Sequence, residues 1–248
     1  MNVAINQYTL RELDEPIAET TERVIDAGYD GIQYSGGLEG LDAALADRLE
    51  AAGARAVPPH LGLDLLETDL DPVVELCERF GVDSVVVPWA APDLFESRER
   101  VETFADRLAA VDERLGEHGL GLQFHNHHQE FRAVEDGALG LEIFAERTDM
   151  DFELDVGWVL AGGEDPVEWL GRLGDRCTQV HMKDVRLEEW GELPHPGRPV
   201  EIGTGAVDMQ ACADAAADIG AEWLVYEHDV PEDPLASLTH GIDYLRNL

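Results

Sequence analysis

Lysine is almost missing from this chain. Lys183 is the single lysine among 17 basic residues, against 53 acidic ones, and the formal net charge is −36. No basic stripe exists to neutralise phosphates, which excludes nucleic acid or an anionic membrane as the main partner. An acidic, lysine-poor surface suits a halophilic cytoplasm, where screening by very high salt relieves the self-repulsion. Cysteine is also scarce. Cys77, Cys177 and Cys212 are widely spaced in apolar contexts, which excludes a disulfide frame or zinc knuckle and predicts buried thiols in a reducing compartment. Long hydrophobic runs are lacking as well. No segment approaches the ~18 uninterrupted apolar residues of a membrane span. The opening Met1-Asn2-Val3-Ala4-Ile5-Asn6 has no basic stretch of the signal-peptide kind. The expectation is a soluble, cytoplasmic, salt-adapted protein.

What is present is a folded pattern, since 44% of the residues are apolar and fall in spaced runs. Strand signals lie at residues 3–8, 31–34, 54–58, 84–89, 121–127, 151–156, 177–183 and 222–228. Helical signals lie between them at 17–27, 41–52, 72–80, 98–117, 139–147, 166–173, 209–219 and 234–245. Gly28, Gly53, Gly81, Gly119 and Gly220 follow helices, where a left-handed residue is wanted. Asp71-Pro72, Asp165-Pro166 and Asp233-Pro234 read as N-cap acids before N1 prolines. Strict βα alternation means a parallel sheet. Eight units in 248 residues predict an α/β fold of the (β/α)8 TIM-barrel type, one domain over residues 1–248. An open doubly wound sheet is the alternative, but the glycine-rich phosphate turn it usually carries after strand 1 is absent. Residues 188–206, irregular and rich in Gly and Pro, would form a rim loop or lid after strand 7.

A barrel presents its chemistry at the C-terminal ends of its strands. Those ends hold His60, Trp89, His125-Asn126-His127-His128 with Glu130 following, Asp155, His181 with Lys183, and Glu227-His228-Asp229. Asp, His and Glu converging from separate strands make a divalent-metal site for Mn, Zn, Co or Mg. The alternative is that Asp155 and Glu227 cap helices and His181 is a satisfied core histidine. Side chains two residues apart on a strand share a face, so Gln123, Glu153 and Gln179 would lie directly beneath His125, Asp155 and His181. Buried there, they need partners, and orienting metal ligands from below would supply them. Lys183 offers a compact ammonium to a reacting oxygen, a task Arg does not match.

Several of these stretches resemble the xylose isomerase-like TIM barrels, the sugar phosphate isomerases and epimerases. They are Phe124-His125-Asn126-His127-His128-Gln129-Glu130-Phe131, Glu153-Leu154-Asp155-Val156-Gly157-Trp158, His181-Met182-Lys183-Asp184, Gly203-Thr204-Gly205-Ala206-Val207-Asp208 and Val225-Tyr226-Glu227-His228-Asp229. The resemblance implies one divalent metal held by Asp155, His181, Glu227 and a fourth ligand from the strand 5 end. That ligand would be Glu130, with His125 or His127 as alternatives. The turn at 203–208 would start a helix with Asp208 as N-cap, or present amides to a phosphate or hydroxyl.

The expected activity is a metal-dependent isomerisation or epimerisation of a sugar, sugar phosphate, ketosugar or polyol derivative through an enediolate. In it Glu227 and Glu130 move protons and Lys183 stabilises the oxyanion. His60 and Tyr8 would bind hydroxyls, and Trp89 and Trp158 would wall the sugar. A dehydratase or lyase acting on a ketosugar or inosose shares the enolate. An apurinic-site endonuclease and a non-catalytic sugar-binding barrel are more distant readings. The expected partner is a small carbohydrate, with pairing into a homodimer possible.

Overall fold

The computed structural model describes residues 1–188 and 196–248. Eight parallel strands close into a barrel: β1 Asn2–Asn6, β2 Gly31–Ser35, β3 Arg55–His60, β4 Ser84–Val87, β5 Gly121–His125, β6 Asp151–Asp155, β7 Cys177–Met182 and β10 Trp223–Tyr226, with β1 paired to both β2 and β10. The helices packed outside are α1 Ile17–Ala27, α2 Ala43–Ala52, α4 Asp71–Phe80, α5 Arg98–Gly116, α6 Gly140–Arg147, α8 Pro166–Leu173, α9 Met209–Ile219 and α10 Pro234–Leu245. Each predicted strand and helix is present, with ends shifted by a few residues. The (β/α)8 barrel is therefore the fold.

Two short helices, α3 Leu63–Thr68 and α7 Val156–Ala161, lie in the loops after β3 and β6. An antiparallel hairpin, β8 Asp184–Arg186 with β9 Arg198–Val200, rises after β7. The sequence pattern did not reveal these three. The expected rim loop at 188–206 thus ends in a strand, and its stretch 189–195 lies outside the described residues.

Local chemistry explains the boundaries. The five helix-following glycines all take left-handed backbone, Gly28 at φ 90° and Gly220 at φ 82° for example. Asp165 caps α8 through the amides of Val167 and Glu168, and Asp233 caps α10 through those of Leu235 and Ala236. Asp71 is a correction. It is the first residue of α4 and not its cap, and its own amide donates to Asp69. The helix starts one residue earlier than the proline signal suggested.

Apolar side chains fill the space between strands and helices. Inside the barrel, Ala4, Val57, Trp223 and Val225 make a separate small buried cluster. Gly31 has no Cβ because one would meet the Trp223 ring at 2.8 Å. Above this plug the interior turns polar: Gln33, Glu153 and Gln179 are at most 1% exposed. Cys77, Cys177 and Cys212 are buried free thiols, each pushed up to about 12 by burial. Among the described residues no helix is long and apolar enough to cross a membrane.

Candidate active site

Register decides which side chains meet at the mouth. Asp155 pairs with His181, His181 with Val225, and His125 with Glu153. Asp155 and His181 are thus level, His125 lies level with Glu153 just beneath them, and Glu227 follows two residues beyond Val225. One donor atom from each of His125, Asp155, His181 and Glu227 lies within 4.8 Å of every other. A second group, His60, His125, Glu153 and His181, meets the same limit.

Hydrogen bonding separates the two groups. Glu153 Oε1 lies 2.6 Å from His60 Nε2, 2.8 Å from His125 Nδ1 and 2.9 Å from His181 Nε2. Its Oε2 accepts from Gln33 at 2.5 Å and Gln179 at 2.6 Å. Burial alone would raise this carboxyl, but His181, His60 and the bonds from His125 and His181 hold it well below the usual range. An ionised carboxylate only accepts, so the nitrogens facing it carry the protons. That leaves His125 Nε2 and His181 Nδ1 directed at the upper group, 4.0 Å from Asp155 Oδ2 and 2.8 Å from Glu227 Oε2 respectively. The lower group orients the imidazoles, and the upper group could hold a cation, as in carboxylate–histidine arrangements beneath metals.

Asp155 is tied in the same manner. Asn126 grips its backbone twice, accepting from its N–H at 2.9 Å and donating to its carbonyl at 3.3 Å. Asp155 Oδ1 accepts from the Trp158 amide at 2.8 Å and so caps α7. Helix capping and site duty thus fall on one residue. Oδ2 is buried, and its near partner is the Lys183 ammonium at 3.2 Å. Burial pushes this carboxyl to about 6 despite Lys183. Two carboxylates and two imidazoles whose donor atoms lie within 4.8 Å of one another fit a divalent ion with mixed nitrogen and oxygen ligands.

Lys183 is 1% exposed. Its Nζ lies 3.2 Å from Asp155 Oδ2, 3.0 Å from Glu227 Oε2 and 3.0 Å from Asp229 Oδ2, and 4.9 Å above the Trp158 ring. Burial opposes its charge, but the three carboxylates hold its pKa well above the ordinary value. Burial would raise Glu227 too, yet Lys183 and His181 keep it well below. For His181, burial is overcome by Glu153 and Glu227, which raise it to about 10.

A cavity of about 520 Å³ opens above this set, with His60, His125, His127, Glu227 and Asp229 in its floor and walls and Tyr8, Arg11 and Trp89 nearer solvent. Three expected residues sit elsewhere. Glu130 stands outside the four-donor group and the cavity lining. Its carboxylate turns back to accept from the His127 amide at 2.8 Å, closing the short helix His128–Phe131, and burial lifts it to about 8. Trp158 is buried behind His127, ring centroids 5.7 Å apart, and does not line the cavity. Gln123 is buried but donates to Ser84, away from the ligand layer. His127 lines the cavity with its ring edge-on to Trp89.

The sequence reading passed over Gln33, Asn6 and Asn126. Gln33 Oε1 lies 2.7 Å from both Asn6 Nδ2 and His181 Nε2. The two-residue alternation that singled out Glu153 would have found Gln33 beneath Ser35. Asn126 is in the motif, but its grip on a neighbouring strand has no spacing signature.

Known proteins share the fold and, in part, the sequence. The chain is 26% identical over 279 residues to the rhizopine catabolism protein MocC of Rhizobium meliloti, covering 97% of this chain and 85% of that protein. It is 28% identical over 145 residues to an inosose dehydratase of Lacticaseibacillus casei, covering 52% of this chain and 48% of the relative. A sugar phosphate isomerase/epimerase from Parabacteroides distasonis superposes with a TM-score of 0.80 at 21% identity, over 99% of this chain and 93% of that one. The zinc-bound IOLI protein superposes with a TM-score of 0.73 at 17% identity, over 100% and 97% of the two chains. The family model of the xylose isomerase-like TIM barrel matches residues 21–248, and the chain belongs to that family.

Proposed function

We propose that this chain is a divalent-metal-dependent isomerase or epimerase of a polyhydroxy ketone or aldose, working through an enediolate. The supporting observation is the set of four donors from four strand ends, with two imidazoles aimed upward by Glu153. His125, Asp155, His181 and Glu227 would hold the ion, with His125 in the position first expected for Glu130. When bound, the ion supplies Lewis acidity toward a carbonyl oxygen.

The rest falls to side chains. Glu227 lines the cavity and is held ionised, which suits a base removing the proton beside the carbonyl. Asp229 lines it too, and burial pushes its carboxyl upward against the pull of Lys183. Neighbouring carboxyls driven apart in this way divide the base and acid roles. Asp229 therefore takes the second proton-transfer role in place of Glu130. Lys183 holds Glu227 ionised and offsets negative charge developing above it. His60 binds a hydroxyl at the floor, and Trp89 and Tyr8 face the C–H surface of the ring.

Loss of water from the same enediolate is the second reading, favoured by the inosose dehydratase relative. The test is solvent-deuterium incorporation by metal-loaded protein on a panel of ketoses and inososes. Deuterium at carbon with no loss of water supports isomerisation or epimerisation, whereas an unsaturated ketone supports the dehydratase. Metal-loaded protein that exchanges no carbon-bound proton in any member would sink both. Glu227→Gln should abolish exchange.

A further inference from the structure

The turn at 203–208 occupies a rim position at which barrels of this kind often seat a phosphate. Here its amides are already engaged. Asp184 Oδ2 accepts from Gly203 N at 2.9 Å and Gly205 N at 2.7 Å, and Oδ1 from Val207 N at 3.2 Å and Val185 N at 2.9 Å. Asp184 is 1% exposed, and a Cβ on Gly205 would run into its carboxylate. The anion in this nest is the chain's own.

Charge inside the cavity has the same consequence. Glu227 and Asp229 line it, with Asp155 and Glu153 buried below. Lys183 is already shared among Asp155, Glu227 and Asp229 at 3.0–3.2 Å. With Lys183 and a divalent ion on neutral imidazoles, three positive charges face these four carboxyl groups, so none is left over for an entering anion. Arg11 is the one cation among the described lining residues. Its guanidinium lies 3.9 Å over the Tyr8 ring, and its Nε lies 3.4 Å from Glu12.

We propose that the cavity selects an uncharged polyhydroxy ketone and rejects its phosphate ester. This rests on the proposed reaction only in taking a polyhydroxy ketone as ligand. A phosphate dianion would enter a space whose positive charges are already matched by carboxyl groups, with the usual amide cradle closed to it. A neutral ring meets hydroxyl-binding groups and aromatic faces and carries no charge to repel.

The test is calorimetric binding to metal-loaded protein of an uncharged ketose or inosose and of the same ketone as its phosphate ester, at about 0.1 M and about 1 M salt. The uncharged ligand should bind with the same Kd at both. The ester should bind at least ~100-fold more weakly at low salt, and the gap should narrow at high salt as screening takes hold. Asp229→Asn should shrink the low-salt gap by about tenfold. An ester that binds as tightly as its parent, or a gap untouched by both salt and Asp229→Asn, overturns the proposal. Solvent exchange in both ligands without discrimination sinks the selectivity and leaves the reaction standing. Discrimination with no exchange in any bound ketone sinks the reaction and leaves the selectivity. If no uncharged ketone binds, both fall.

Discussion

Replacing Glu130 with Gln separates two fates for one carboxyl. Glu130 is fully buried, and desolvation lifts it from 4.5 to about 8. Between those values the folded chain keeps a proton that the unfolded chain has released. Stability therefore falls as pH rises through the window and levels off above it. The window is about three and a half units wide. At ~1.4 kcal/mol per unit the upper bound is ~5 kcal/mol. Gln resembles the neutral acid in shape, can accept from the His127 amide as Glu130 does, and does not titrate. The variant should match the parent near pH 4.5 and exceed it by several kcal/mol at pH 8, measured by urea unfolding of metal-free protein at fixed salt. Metal affinity should stay within about threefold, because the carboxyl stands outside the four-donor group. Parallel stability curves would refute the burial reasoning. A loss of metal affinity beyond ~100-fold would restore Glu130 as a ligand.

Glu153→Gln removes the charged acceptor shared by His60, His125 and His181; denaturant unfolding should show a loss of ~3–5 kcal/mol, and chelator competition a 10–100-fold weaker metal affinity. Gly205→Ala drives a methyl into Asp184 and should cost ~1–3 kcal/mol in thermal unfolding, with an unchanged melting temperature counting against the nest. Lys183→Arg puts a planar fork into a space shaped around an ammonium by three carboxylates and Trp158; solvent exchange on a bound ketone should fall by on the order of 100-fold, and full activity would remove the case for that lone lysine.

The barrel was legible because its signals are repetitive. Strand, glycine stop and acidic cap recur along the chain, and each copy supports the rest. The missed helices are six residues long, too short for a period to show. The cap of α7 is Asp155, the role the sequence offered as the alternative to a ligand, and the residue holds a place in the donor group as well. Residue type at the strand ends marked Asp155, His181 and Glu227. It did not decide between His125 and Glu130, because that depends on a tight turn that sends the Glu130 carboxylate back to the His127 amide. Gln33 carries no such signal for another reason: it lies far from Glu153 in sequence, and only closure of the barrel brings β2 across to it.

Asp155 has one oxygen fastened to the first turn of α7 and the other beside the Lys183 ammonium. A side chain fixed during folding has little rotamer entropy left to lose when a ligand arrives. On the proposed metal site, helix and cation would report on each other: fraying at Trp158 would loosen the carboxylate, and a captured ion would tighten the turn. Hydrogen exchange at that amide becomes a gauge of occupancy that needs no substrate.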